Sequence, residues 1–337
     1  MTLSEMRARC ARTPRAGFWL AAGMAATLLA PSASAAQQSL AQRIAGVRGE
    51  AELRFASRPG VCGNGEGSVS FVSPHEMSST NIHGSGGWDY HCEPGPVRVR
   101  LSVSDGSVAR VRSYVGERRD SASAITDLGV VGTREAVDYF LGLAHDATES
   151  VARKAILPAA LADSVTVWPR LMELARDRGR PIEVRKPALF WAGQLGETEV
   201  LEPVRAMASD ASEDESIRKH ATFVLSQLPD GAGLPVLMDI TRNGGSTEVR
   251  KQALFWAGQG GEPTSELLGL YHQFHDETLQ RQMIFVLSQR DDSAATDGLI
   301  EIARSDPDHA LRKQAFFWLG QKNDPRVIQL LTSILEK

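Results

Sequence analysis

Residues 249–259 read Val249-Arg250-Lys251-Gln252-Ala253-Leu254-Phe255-Trp256-Ala257-Gly258-Gln259, and four further versions of this stretch follow or precede it. They are VRKPALFWAGQ (184–194), IRKHATFVLSQ (217–227), LQRQMIFVLSQ (279–289) and LRKQAFFWLGQ (311–321), at near-equal intervals along the chain. A degenerate copy, Ala152-Arg153-Lys154-Ala155-Ile156-Leu157, stands one further interval upstream of the first. A steady period of this length is the signature of a repeat architecture.

Each copy is preceded by a second amphipathic stretch, as at 200–208, 234–241 and 299–303. Helix, short turn, helix, short turn within one period makes the unit of an α-solenoid, in which a helix pair buries its apolar side only against its neighbours. The expected fold is therefore an all-α solenoid, an α–α superhelix, over residues 133–337, with about six helix pairs and a terminal helix at 325–335. Asp230, Asp292 and Asp324 stand where first helices should be capped, and acidic residues such as Glu183, Asp214, Glu248 and Asp308 crowd the starts of the second helices, which suits the helix dipole. Inside the repeat, Trp191, Val224, Trp256, Val286 and Trp318 alternate large and small, while Gly193, Ser226, Gly258, Ser288 and Gly320 alternate two residues later. That pattern reads as duplication of a two-pair unit, with bulk and space matched between neighbours.

Upstream the composition differs. Residues 48–120 are rich in Gly, Ser and Val, with alternating runs at 51–55 and 68–72 and a pair of runs, 97–103 and 108–115, flanking Asp105-Gly106. Apolar alternation around Asp-Gly is a hairpin signal, so a small β-rich module is expected, followed by a linker or helix entry at 121–127. Residues 1–36 have the parts of an export signal: four arginines, an apolar run at 16–30 and Ser32-Ala33-Ser34-Ala35-Ala36. The apolar run is shorter than the roughly 20 residues of a membrane span, so no span is expected after cleavage, and the mature protein is expected in the periplasm or secreted. Cys10 lies in the charged start of this leader, whereas Cys62 and Cys92 both fall in the β-rich module. An exported chain with one such pair most simply joins it in a disulfide.

The repeat pattern resembles the HEAT-like repeats also found in phycobilisome-lyase-type proteins, over about 60% of the chain. The layout as a whole resembles exported bacterial HEAT-repeat proteins with a small cysteine-bearing N-terminal module. The resemblance implies an extended surface for other proteins, and it implies that Arg185, Arg218, Arg250 and Arg312 pair with acidic groups in neighbouring turns; Gln280 takes that place in the copy at 279–289.

The expected function is a non-catalytic protein-binding scaffold or adaptor of the bacterial cell envelope, using the concave face of the solenoid, with another protein as partner and no cofactor. The chain has 37 basic and 41 acidic residues; losing Arg7, Arg9, Arg12, Arg15 and Glu5 with the leader leaves 33 and 40, a net charge of −7. Bulk attraction to nucleic acid is not expected from such a balance. Phe190, Phe223, Phe255, Phe285 and Phe317 occupy one repeat position and, with Trp191, Trp256 and Trp318, are expected in the repeat core. Lys186, Lys219, Lys251, Arg281 and Lys313 form a cationic row, read either as solvated side chains or as a stripe for an acidic partner. Gln194, Gln227, Gln259, Gln289 and Gln321 form an amide row suited to finishing helix ends. The alternative is an enzyme or metal-dependent sensor with its site in the N-terminal module, where His75, His83 and His91 are evenly spaced; that spacing in a Gly/Ser-rich loop does not itself bring imidazoles together. No Gly-x-Ser-x-Gly, His-Glu-x-x-His or phosphate-loop pattern accompanies them.

Overall fold

The structure is a computed structural model that describes residues 38–72, 79–83, 92–117, 124–322 and 324–328. After the short helix α1 (Leu40–Ala45) come strands β1 (Gly49–Phe55), β2 (Val61–Gly63), β3 (Val69–Val72), β4 (Ser79–His83), β5 (Glu93–Pro94), β6 (Val97–Ser104), β7 (Ser107–Val115) and β8 (Ile125–Val130). They form two four-stranded sheets, β7-β6-β1-β8 and β4-β3-β2-β5. The β6–β7 hairpin turns at Asp105 (φ 51°) and Gly106 (φ 74°), the positive angles that a two-residue hairpin turn demands. Cys62 and Cys92 are joined by a disulfide, with Cα atoms 5.2 Å apart.

One expectation is corrected in this region. Of the stretch 121–127 expected as a linker or helix entry, residues 121–123 lie outside the described residues, and 125–127 belong to β8, which pairs in parallel with β1 at the sheet's far edge.

Among the described residues, twelve further helices then form six pairs. They are α2 (Thr133–Asp146) with α3 (Glu149–Leu161), α4 (Trp168–Arg176) with α5 (Ile182–Gly196), and α6 (Leu201–Ser209) with α7 (Glu215–Ser226). The other three pairs are α8 (Leu234–Asn243) with α9 (Thr247–Gln259), α10 (Thr264–Tyr271) with α11 (Glu277–Ser288), and α12 (Ser293–Ser305) with α13 (His309–Leu319). Residues 325–328 are again helical. Successive second helices pack directly on one another from α3 to α13, while successive first helices meet more sparsely. The second helices are thus the tighter layer.

Caps follow the local sequence. Asp214, Asp276 and Asp308 accept the backbone N–H groups of Ser216, Thr278 and Ala310 at the starts of second helices, and Asp292 accepts that of Ala295 at the start of α12. Asp230 departs from expectation: it sits in a 3-10 turn with φ 53°, and α8 starts after Gly233.

An arginine, buried in α5 and α7 and half-buried in α9 and α13, closes the pair to which each of these helices belongs. Arg185 Nε donates to the carbonyl of Ala175 at 2.8 Å, Arg218 to that of Ala208 at 3.3 Å, and Arg250 to that of Thr241 at 2.9 Å. Arg312 reaches the carbonyl of Asp306 at 2.6 Å. Each carbonyl belongs to the end of the first helix of the same pair, where orphan acceptors and the negative end of the dipole favour a cation. Arg185 also pairs with Glu213 at 2.5 Å. The pairing of arginine with acid that the resemblance implies therefore holds at Arg185, while the helix-end carbonyl is the partner shared by all four.

The module and the array share one continuous apolar core. Ala51, Leu53 and Phe55 on β1 and Val97, Val99 and Leu101 on β6 turn one face of the first sheet inward, and Phe55 meets Phe140 of α2 at 6.1 Å between ring centroids. The backbone seals the seam: Arg58 N–H donates to Leu161 at the end of α3 and Asp163 N–H returns to Ala56. On the sheet's other face the buried Arg98 donates to the carbonyls of Gly116 and Gly65 and pairs with Glu52. The β-rich module thereby caps the first pair of the array.

Candidate functional site

The second-helix face carries the repeat aromatics, and the structure arranges them as a contiguous series. Phe71 of β3 meets Trp191 at 6.0 Å, Trp191 meets Phe190 at 5.3 Å, and Phe190 stacks on Phe223 at 6.1 Å with rings 6° apart. Phe223 meets Trp256 at 5.0 Å, Trp256 meets Phe255 at 4.9 Å, and Phe255 stacks on Phe285 at 6.3 Å. Phe285 then meets Trp318 at 5.5 Å, and Trp318 meets Phe317 at 5.1 Å. Offset and edge-on ring pairs at these distances add to simple burial.

Burial along the row is graded, which corrects the expectation of a uniform core. Trp191 is 4% exposed and is a core residue. Trp256, Trp318, Phe190, Phe223, Phe255 and Phe285 are half-buried, and Phe317 is 60% exposed. The reason is position: the Phe site lies one residue past the fully buried stripe (Leu189, Leu254, Ile284), so its ring lies along the rim of the helix stack.

The large–small alternation is a real fit between neighbours. A Cβ on Gly193 would collide with Val224 Cγ1, and one on Gly258 with Val286 Cγ1. Glycine in one second helix therefore makes room for valine in the next, and the two phenylalanines of that interface stack. In the other interfaces, Ser226 and Ser288 turn their hydroxyls onto the carbonyls of Phe223 and Phe285, and the following tryptophan packs against those same phenylalanines.

The cationic row is largely compensated within its own helices. Lys219 pairs with Glu215 at 3.3 Å, Lys251 with Glu248 at 3.1 Å and Arg281 with Glu277 at 2.5 Å. Lys186 and Lys313 have no acidic partner among the described residues. Exposed pairs of this kind contribute little to stability, but they cancel most of the field that a basic stripe would need. In the amide row, Gln227 and Gln289 stand at helix C-caps and donate to Ser226 and Ser288.

Uncompensated cations gather instead at the head of the array. Burial along α3 matches burial along α5 when Arg153 is set against Lys186 and Leu157 against Phe190, one place off the register that the degenerate sequence copy suggests. A cleft of about 750 Å³ lies here between β7 and helices α3 and α5. Val69, Val111, Ile156, Leu157, Pro187 and Trp191 make its apolar lining; among the described residues its charged lining is Arg112, Arg153, Lys154 and Glu66. Those three cations are exposed, with no acidic partner among the described residues. Sequence reading missed this cleft because its walls come from four separate stretches; the Arg153-Lys154 pair in the degenerate copy was its one local mark.

His75 and His91 lie outside the described residues, and His83 is placed on β4 by its backbone. Among the described residues no group of three His, Cys, Asp or Glu side chains is disposed to hold a metal ion. No helix among them is long and apolar enough to cross a membrane.

No curated protein matches the chain. Residues 169–258, the stretch from α4 through α9, match the family model of HEAT repeats. Helix pairs recurring at a steady period agree with that match, and the chain is a HEAT-like repeat protein.

Proposed function

We propose that this chain is a non-catalytic scaffold or adaptor of the bacterial cell envelope that holds a partner protein on the concave, second-helix face of its array. The observation that carries the reading is the aromatic row, whose outer members keep exposed ring surface along successive repeats. Half-buried aromatic side chains on a rigid scaffold are the anchors from which protein interfaces are built. The leader-like residues 1–36 and the Cys62–Cys92 disulfide support the export part of the reading, since such bonds persist in oxidising compartments.

The test compares two triple variants expressed in the native cell. Phe255→Ala, Phe285→Ala and Phe317→Ala trims the second-helix face, and Glu202→Ala, Arg242→Ala and Glu301→Ala alters exposed first-helix positions. The first is expected to lose about tenfold or more of the co-purifying partner while keeping a cooperative melt, a loss of ~1.4 kcal/mol or more in binding. The second is expected to behave as the natural chain. Equal recovery by both variants contradicts the proposal.

A further inference from the structure

The cleft at the head of the array has an unusual wall. Four consecutive residues of β7, Val111, Arg112, Ser113 and Tyr114, line it, so it is bounded by the edge of the strand and not by one face. β7 is the end strand of its sheet, with β6 on one side. Near its end, Val115 turns its carbonyl outward to accept Gly65 N–H at 2.9 Å. Backbone groups of alternate residues share a direction in a strand, so Val111 and Ser113 aim theirs the same way, and neither has a further backbone partner among the described residues. An open edge of this kind is a template for another strand. The opposite wall is apolar, with Leu157, Pro187 and the buried Trp191, and the described lining holds three cations and one carboxylate.

We propose that this cleft binds an extended, acidic segment of the partner protein, added to β7 as a fifth strand of the sheet. Main-chain hydrogen bonds to Val111 and Ser113 would hold the segment, alternate apolar side chains would lie over Leu157 and Trp191, and carboxylates would meet Arg112, Arg153 and Lys154. Strand addition of this type draws affinity from the backbone and specificity from alternate side-chain contacts, while charge complementarity selects the partner. The inference rests on the scaffold reading and names the partner's chemistry at one end of the same face.

The probe is a random-peptide phage library panned against the full chain. Enriched peptides are expected to alternate Asp or Glu with apolar residues, to slow hydrogen exchange at the Val111 and Ser113 amides, and to bind about tenfold or more weakly to the Arg112→Glu, Arg153→Glu, Lys154→Glu variant. N-methylation of alternate peptide amides is expected to abolish binding. The proposal is overturned by a library without enrichment, by peptides indifferent to charge, by N-methylated peptides that bind as well, or by protection that falls elsewhere. Exchange on the natural chain keeps the outcome decisive should the triple variant fold poorly. Partner loss in the aromatic-row variant together with failed peptide binding strikes this inference alone; peptide binding without that partner loss strikes the broader reading.

Discussion

His220 donates from Nε2 to the carbonyl of Lys186 at 3.0 Å, the link that Gln314 makes to Arg281 between the later second helices α13 and α11. Burial, with a smaller contribution from the nearby Lys186 charge, depresses its pKa to about 4, against the opposing effect of the hydrogen bond. A histidine whose folded pKa is depressed binds its proton better when unfolded, so its stability contribution is full above about pH 6.5 and lost as pH falls toward 4. The expected loss is roughly 2 kcal/mol by about pH 5. His220→Gln should keep the hydrogen bond and remove that part of the acid sensitivity, as thermal melts between pH 7 and 5 would show; an unchanged pH profile contradicts the assignment. Glu213 carries a second residue-scale prediction. Burial raises its pKa, but the hydrogen bond and charge of Arg185 and the Asp214 N–H outweigh this and hold it below the usual carboxylate range. Glu213→Ala would leave Arg185, 3% exposed, without its anion, at a cost of about 3–5 kcal/mol in denaturant unfolding. A cost under about 1 kcal/mol would mean that the helix-end carbonyl alone satisfies the arginine. The arginine row was legible in the sequence; its shared partner was not, because that carbonyl lies on another helix and leaves no side-chain signature.

Pairs of elements show where periodicity informs and where it fails. Alternation of Gly with Ser and Trp with Val pointed to matched packing, and the contacts of Gly193 with Val224 and Gly258 with Val286 give it a structure. A double-mutant cycle checks it. Gly258→Ala overpacks the α9–α11 interface at about 1–3 kcal/mol, and Val286→Ala leaves a void there. The two together should cost clearly less than their sum, by ~1 kcal/mol or more; strict additivity would mean that the residues do not share space. Strand β8 was not legible because its residues are half-buried or exposed, so no alternation betrays a parallel edge strand. The cleft was hidden for a related reason: Val69, Val111, Leu157 and Trp191 each look like ordinary local core residues until the fold brings them together.

At the scale of the molecule, the continuity of the core from Leu40 to Val327 ties the β-rich module to the repeats. Repeat arrays need capped ends, since an end pair otherwise exposes the face meant for a neighbour. Here the sheet supplies that cap, with Phe55 against Phe140. Phe55→Ala is expected to cost about 3–5 kcal/mol and to weaken exchange protection in α2 and α3 as well as in β1 and β6. Full protection of the helices would show two independent bodies. The sequence divides visibly into two compositions, yet nothing in it says that their cores merge, because the seam is made of apolar residues that serve either side equally well.

The proposed scaffold role puts the partner along the second helices. A photo-crosslinking residue placed at Phe317, 60% exposed on that face, should capture a discrete partner in the native cell, whereas one placed at Glu301, exposed on a first helix, should not. Capture from Glu301 with none from Phe317 would put the partner on the opposite surface and contradict that placement.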